Sequence, residues 1–183
     1  YLFPQMDQLL NETQKNYSYE FIMRALNNTD QRINEGDSAT PGFLLAAMLW
    51  EPVRILSSEY ISNNLSEVEA AKLAGDTIIS KQISSTSIPR RYTHMARDIW
   101  TLQARLKRTK KKSLRVLMHP KFRAAYDFLL LRAQSGERLE NLVDYWTKEQ
   151  LDEPLAGKDK PRKLGNRSNS SYRRTRNSRK KDL

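Results

Sequence analysis

The chain has 183 residues, 32 Lys and Arg against 21 Asp and Glu, a net charge of +11 and no cysteine. That length holds one domain of ordinary size plus a tail, and the lack of cysteine excludes disulfides, cysteine-based zinc sites and a thiol nucleophile. No apolar run approaches the roughly 20 residues that cross a bilayer, and the start of the chain is too polar for a secretory signal.

Apolar residues recur at helical spacing almost throughout, and strand-like alternation is absent, so the spacing predicts an all-α fold. Leu2, Phe3, Met6, Leu9 and Leu10 mark a first short helix, and Tyr19, Ile22, Met23, Leu26 and Ile33 a second. The cluster from Asn34 to Ser38 is a turn. Thr40 and Pro41 have the chemistry of an N-cap and a first helical residue. Phe43 to Trp50 is apolar on every side and is expected to be the central buried helix, kinked or ended by Pro52. Ser66 and Glu69 fit a capping box opening a helix towards Ile83. Ser84 to Ser87 is a polar connector, and Pro89 starts a long helix with the stripe Ile88, Tyr92, Met95, Ile99, Leu102 and Leu106. A turn from Ser113 to Met118 follows. His119 and Pro120 open a helix from Phe122 to Ala133, with Phe122, Ala125, Tyr126, Leu129, Leu130 and Ala133 turned inward, which Ser135-Gly136 stops. Leu139, Leu142, Val143 and Trp146 form a last short helix. Beyond Pro154 the apolar period is lost. The expected organisation is a helical body over 1–153 and a disordered basic tail over 154–183.

Charge is packed into two blocks. Residues 90–123 hold 12 basic residues and a single acid, Asp98, while 158–183 hold 11 basic and 2 acidic; the remaining stretches are net negative. Such concentration makes a field of one sign that attracts a polyanion and holds it by releasing counterions. The candidate contacts in the internal block are Arg90, Arg91, Arg97, Arg105, Lys107, Arg108, Lys110, Lys111, Lys112, Arg115, Lys121 and Arg123. In the tail they are Arg162, Lys163, Arg167, Arg173, Arg174, Arg176, Arg179, Lys180 and Lys181. On the long helix, Arg91, His94, Arg105 and Arg108 fall away from the apolar stripe, interrupted by Asp98 and Thr101, with Arg90, Arg97 and Lys111 beside them. Tyr92, Trp100 and Tyr126 have the chemistry to stack on unpaired bases, but their helical spacing suits a core better, Trp100 above all. The tail has no apolar face and so does not read as a membrane anchor.

Catalytic chemistry is missing from the pattern. Glu67 with Glu69 and Asp152 with Glu153 are explained by capping and solvation. His94 and His119 are too few and too distant for a metal site, the six glycines are isolated, and no Gly-x-Ser-x-Gly turn occurs. Composition separates polyanion binding from other functions better than it separates RNA from DNA.

Three stretches resemble the C-terminal half of the bacterial poly(A) polymerase I family, in the class II nucleotidyltransferase group. They are Thr40 to Trp50, Ser87 to Arg91 running on to Arg97–Trp100, and His119 to Leu129, the last followed by Arg132-Ala133. Leu2-Phe3-Pro4, Asn27 to Asp30 and the Arg-rich end also fit. The resemblance implies an enzyme that adds adenylates from ATP to RNA 3′ ends with two magnesium ions, in the bacterial cytoplasm, marking RNA for the decay machinery. It places ATP and magnesium in a head domain with a Gly-Ser motif and an Asp-x-Asp pair, neither of which occurs here. The chain, which begins with Tyr1, is therefore expected to be a later fragment that binds single-stranded RNA 3′ ends and is itself inactive, with no metal site of its own. The rival readings are a stand-alone helical nucleic-acid-binding module and a protein-interaction domain with a basic docking tail.

Overall fold

A computed structural model describes residues 3–4, 17–108 and 113–152. Among the described residues there are eight helices and no strand: α1 Tyr17–Asn34, α2 Pro41–Met48, α3 Trp50–Ser62, α4 Glu67–Ile83, α5 Arg90–Leu106, α6 Ser113–Leu117, α7 Phe122–Gln134 and α8 Glu140–Asp152. The all-α expectation holds. The helix expected from Leu2 to Leu10 lies, apart from Phe3 and Pro4, outside the described residues, as do Lys110 to Lys112 and the tail.

Several helix ends follow from local chemistry. Ser66 closes the expected capping box: its Oγ accepts the Glu69 N–H at 3.3 Å while the Glu69 carboxylate takes the Ser66 hydroxyl at 2.6 Å. Gly36 and Gly136 sit at positive φ just past α1 and α7, where glycine carries no side-chain penalty. Asn64, also at positive φ, ends α3, and the Leu65 N–H reaches back to the Tyr60 carbonyl at 3.1 Å. Thr40 occupies the cap position of α2 but its side chain makes no capping bond; only its carbonyl serves, accepting from Phe43 and Leu44.

Two further elements depart from expectation. The apolar run from Phe43 is not one central helix: it breaks at Leu49, and α3 starts at Trp50 with Pro52 in its first turn. Proline there has no N–H for the carbonyl one turn back and its ring clashes with that carbonyl, so the chain restarts. The hub is instead α5, which packs on α2, α4 and α7. The segment read as a turn after Ser113 contains a helical turn, α6.

The core has two parts. The larger gathers Phe21, Leu49, Trp50, Val53, Ile79, Ile99, Trp100 and Phe128; the smaller gathers Leu102, Leu106, Val116, Leu117, Phe122, Tyr126, Leu129 and Trp146. Both α5 and α7 supply both. On α7 the inward set is wider than expected: Phe128 and Leu131 are buried as well, whereas Leu130 and Ala133 are only partly covered, because the helix is gripped on two sides. Phe128 meets the edges or faces of Phe21, Phe43 and Trp50 at 5.2, 5.7 and 5.4 Å. Gly75 lets α4 approach α5: a Cβ there would lie 2.9 Å from the Trp100 ring.

Candidate nucleic-acid interface

Helix α5 is anchored through its buried side. The Trp100 indole N–H donates to the Ala46 carbonyl at 3.0 Å, and Gln103 donates to the Ala125 carbonyl at 2.8 Å. At its end, the Trp146 indole N–H donates to the Leu106 carbonyl at 2.9 Å, satisfying one of the acceptors that a helix terminus leaves over. The opposite face of α5 is thereby held to solvent.

That face carries two basic patches. Arg90, Arg91 and His94 are exposed at its start; Arg105, Lys107 and Arg108 are exposed at its end. At 1.5 Å per residue the patches are roughly 22 Å apart. Between them Arg97, Asp98 and Thr101 are partly covered. Arg97 Nε lies 2.6 Å from the Asp76 carboxylate of α4, an ion pair by distance although the N–H is not aimed well enough to count as a hydrogen bond. Lys107 lies 3.6 Å from Glu67, and Arg123 pairs with Asp127 on its own helix at 3.1 Å. Such exposed pairs contribute little and exchange readily for another anion. Arg90, Arg105, Arg108 and Arg115 have no carboxylate within 4 Å among the described residues. Lys121 is partly buried, its backbone N–H bonded to His119 Nδ1 at 3.1 Å.

The aromatic candidates divide. Trp100 is fully buried and Tyr126 nearly so, with its hydroxyl 2.6 Å from that of Thr147; neither is open to a base. Tyr92 is half-buried and already lies under the Arg91 guanidinium, 4.8 Å from the ring centre. Arg132 belongs to the interior: it donates to Gln103 at 2.9 Å, pairs with Glu137, and lies 4.7 Å from the Trp50 ring centre. Partial burial raises the Asp127 carboxyl above its ordinary value, against the pull of Arg123 and Arg32.

One feature escaped the sequence reading. An open cleft of about 530 Å³ lies between the end of α4 and the start of α5. The connector over 84–88 forms one wall and Arg90, His94 and Arg97 the other. Only the mutual nearness of hydroxyl-rich connector and basic helix start signalled it. Among the described residues no group of three or more histidines and carboxylates could hold a metal ion, and no helix is long and apolar enough to cross a membrane.

Comparison with known proteins adds family evidence. Residues 63–181 match the family model described as polymerase A arginine-rich C-terminus. The chain is 36% identical over 184 residues to Poly(A) polymerase I of Escherichia coli O157:H7, covering 98% of this chain and 39% of that protein. It is 35% identical over 157 residues to that of Salmonella typhi, 84% of this chain and 34% of the relative. It is 37% identical over 152 residues to that of Haemophilus influenzae, 79% and 33%. The chain thus spans well under half the length of the curated relatives it matches.

Proposed function

Since the chain belongs to the polymerase A arginine-rich C-terminus family, we propose that it is the RNA-holding portion of a poly(A) polymerase. The observation that carries this reading is that the matched span, 63–181, takes in both basic blocks, and that Arg90, Arg91 and Arg105 of the first stand exposed on one anchored helix. Arginine suits phosphate because its planar fork donates two parallel bonds. In this reading the RNA backbone lies along the two patches of α5, the 107–112 segment and the basic tail, with little base readout from these contacts. Adenylyl transfer from ATP, and the magnesium that supports it, belong to a head domain that the longer relatives leave room for; no residue cluster described here fits a metal, and no chemical step is assigned to this chain. Its partners are single-stranded RNA 3′ ends in the bacterial cytoplasm and, downstream, the machinery that degrades tailed RNA.

The test is binding of a labelled single-stranded RNA to the chain over a range of salt. The expected log–log slope is about −0.7 per phosphate neutralised. Replacing Lys110, Lys111 and Lys112 by alanine flattens the slope and weakens all RNA sequences alike. Salt-independent binding, or binding in cell extract that survives nuclease, favours a protein partner and removes the RNA reading.

A further inference from the structure

The cleft between α4 and α5 offers more than positive charge. Arg90, His94 and Arg97 follow one another at steps of four and three, so one helix face turns them to the same wall. Arg97 pairs with Asp76 through Nε, an exposed ion pair that another anion can share or displace. Across the gap, Ser84 spends its hydroxyl on the Lys81 carbonyl at 2.7 Å, while Ser85 and Ser87 are exposed and make no side-chain hydrogen bond among the described residues. The remaining surface is aliphatic: Ile88 is half-buried and Ile83 is 49% exposed. A volume of about 530 Å³ lies within the roughly 300–1,000 Å³ of small-ligand sites. Cations, free hydroxyls and an aliphatic shelf in one cleft match phosphate, sugar and base in turn.

We infer that this cleft seats one nucleotide unit of the RNA, with its phosphate on Arg90, His94 and Arg97, its ribose hydroxyl on Ser85 or Ser87, and its base against Ile83 and Ile88. The inference rests on the RNA-binding reading above and makes it specific. A point charge on a phosphate cannot tell RNA from DNA, whereas a hydroxyl placed for the ribose 2′-OH can. The cleft is therefore where the chain distinguishes the two, and the 107–112 segment and tail are where it gains most of its salt-dependent affinity.

The experiment compares a single-stranded oligoadenylate RNA with DNA of the same sequence, by fluorescence anisotropy. The chain itself binds RNA with the salt dependence given above. Arg90→Ala with His94→Ala weakens RNA binding about tenfold. Ser85→Ala with Ser87→Ala lowers the RNA-to-DNA preference about threefold and leaves the salt slope unchanged. All four side chains are exposed, so melting temperatures stay at the value of the unaltered chain, which excludes loss of fold as the cause. A 4-thiouridine RNA, irradiated in the complex, cross-links within residues 83–97. If both double variants bind as the unaltered chain does, or if cross-links fall only in 107–112 or the tail, the cleft is idle while the RNA reading stands. If the unaltered chain shows no salt-dependent RNA binding, the RNA reading fails and the cleft assignment with it.

Discussion

Arg132 illustrates how position, more than charge, decides what a cation does. It is 5% exposed, and its guanidinium joins Gln103 on α5 to Glu137 beyond the Gly136 turn. Arg132→Met strips the Glu137 carboxylate and the Gln103 amide of that guanidinium, with a cost of about 3 kcal/mol; Arg132→Lys keeps the charge and recovers less than half, because the fork is gone. Urea unfolding measures both, and equal stability of all three would show the network to be idle. Asp127 makes a pH-dependent case. Its carboxyl is raised above the ordinary value by burial first, with Arg123 and Arg32 opposing. The folded state therefore binds this proton more tightly than the unfolded chain, so the charged carboxylate costs stability at neutral pH and the cost disappears as pH falls through the raised value toward about 4. Asp127→Asn should melt higher than the unaltered chain at pH 7, with an advantage that fades towards pH 4. An advantage independent of pH would rule out burial as its cause.

Helices differ in how openly the residues announce them. Helix α4 is legible to the residue because Ser66 and Glu69 satisfy each other at its start. Ser66→Ala should cost about 1 kcal/mol in thermal unfolding. The Glu69 carboxyl is lowered by the Ser66 hydroxyl bond first and by the Ser66 backbone next. The fold thus gains above the ordinary carboxylate range and loses that gain as pH falls below it, and the acid limb of the stability curve should be shallower in the Ser66→Ala variant. Helix α3 is hidden in the sequence because Ile55 and Ile61 face solvent and blur the period. The inward set of α7 exceeds a single apolar stripe because two of its faces are buried. The basic start of α5 is legible as charge, but the tie of Arg97 to Asp76 and the cleft beside it depend on where α4 packs, which spacing along one helix cannot carry. Gly75 is another such tertiary feature. Gly75→Ala gains roughly 1 kcal/mol of helix propensity, yet its Cβ meets the rigid, fully buried Trp100 ring at 2.9 Å. Overpacking of about 1–3 kcal/mol makes the net change destabilising, and a rise in melting temperature would show that α4 can shift.

Across the whole molecule the charge separates by role. Arg132 is folded into the interior, the cations of α5 are turned outward, and the most basic stretches stand in the 107–112 segment and beyond residue 154. Incubated with ATP, magnesium and an RNA primer, the chain alone should leave the primer unextended, since among the described residues no group of three or more histidines and carboxylates could hold a metal ion. Extension above background would overturn the division into a catalytic head and an RNA-holding region. Helix α7 has a further effect through its two buried faces. Helix α7 cannot leave one cluster while staying in the other, because the same thirteen residues serve both. Amide hydrogens near Ala125 to Leu131 therefore exchange with deuterium only when the entire helical body unfolds, and their protection reports its global free energy, whereas fraying ends report only themselves.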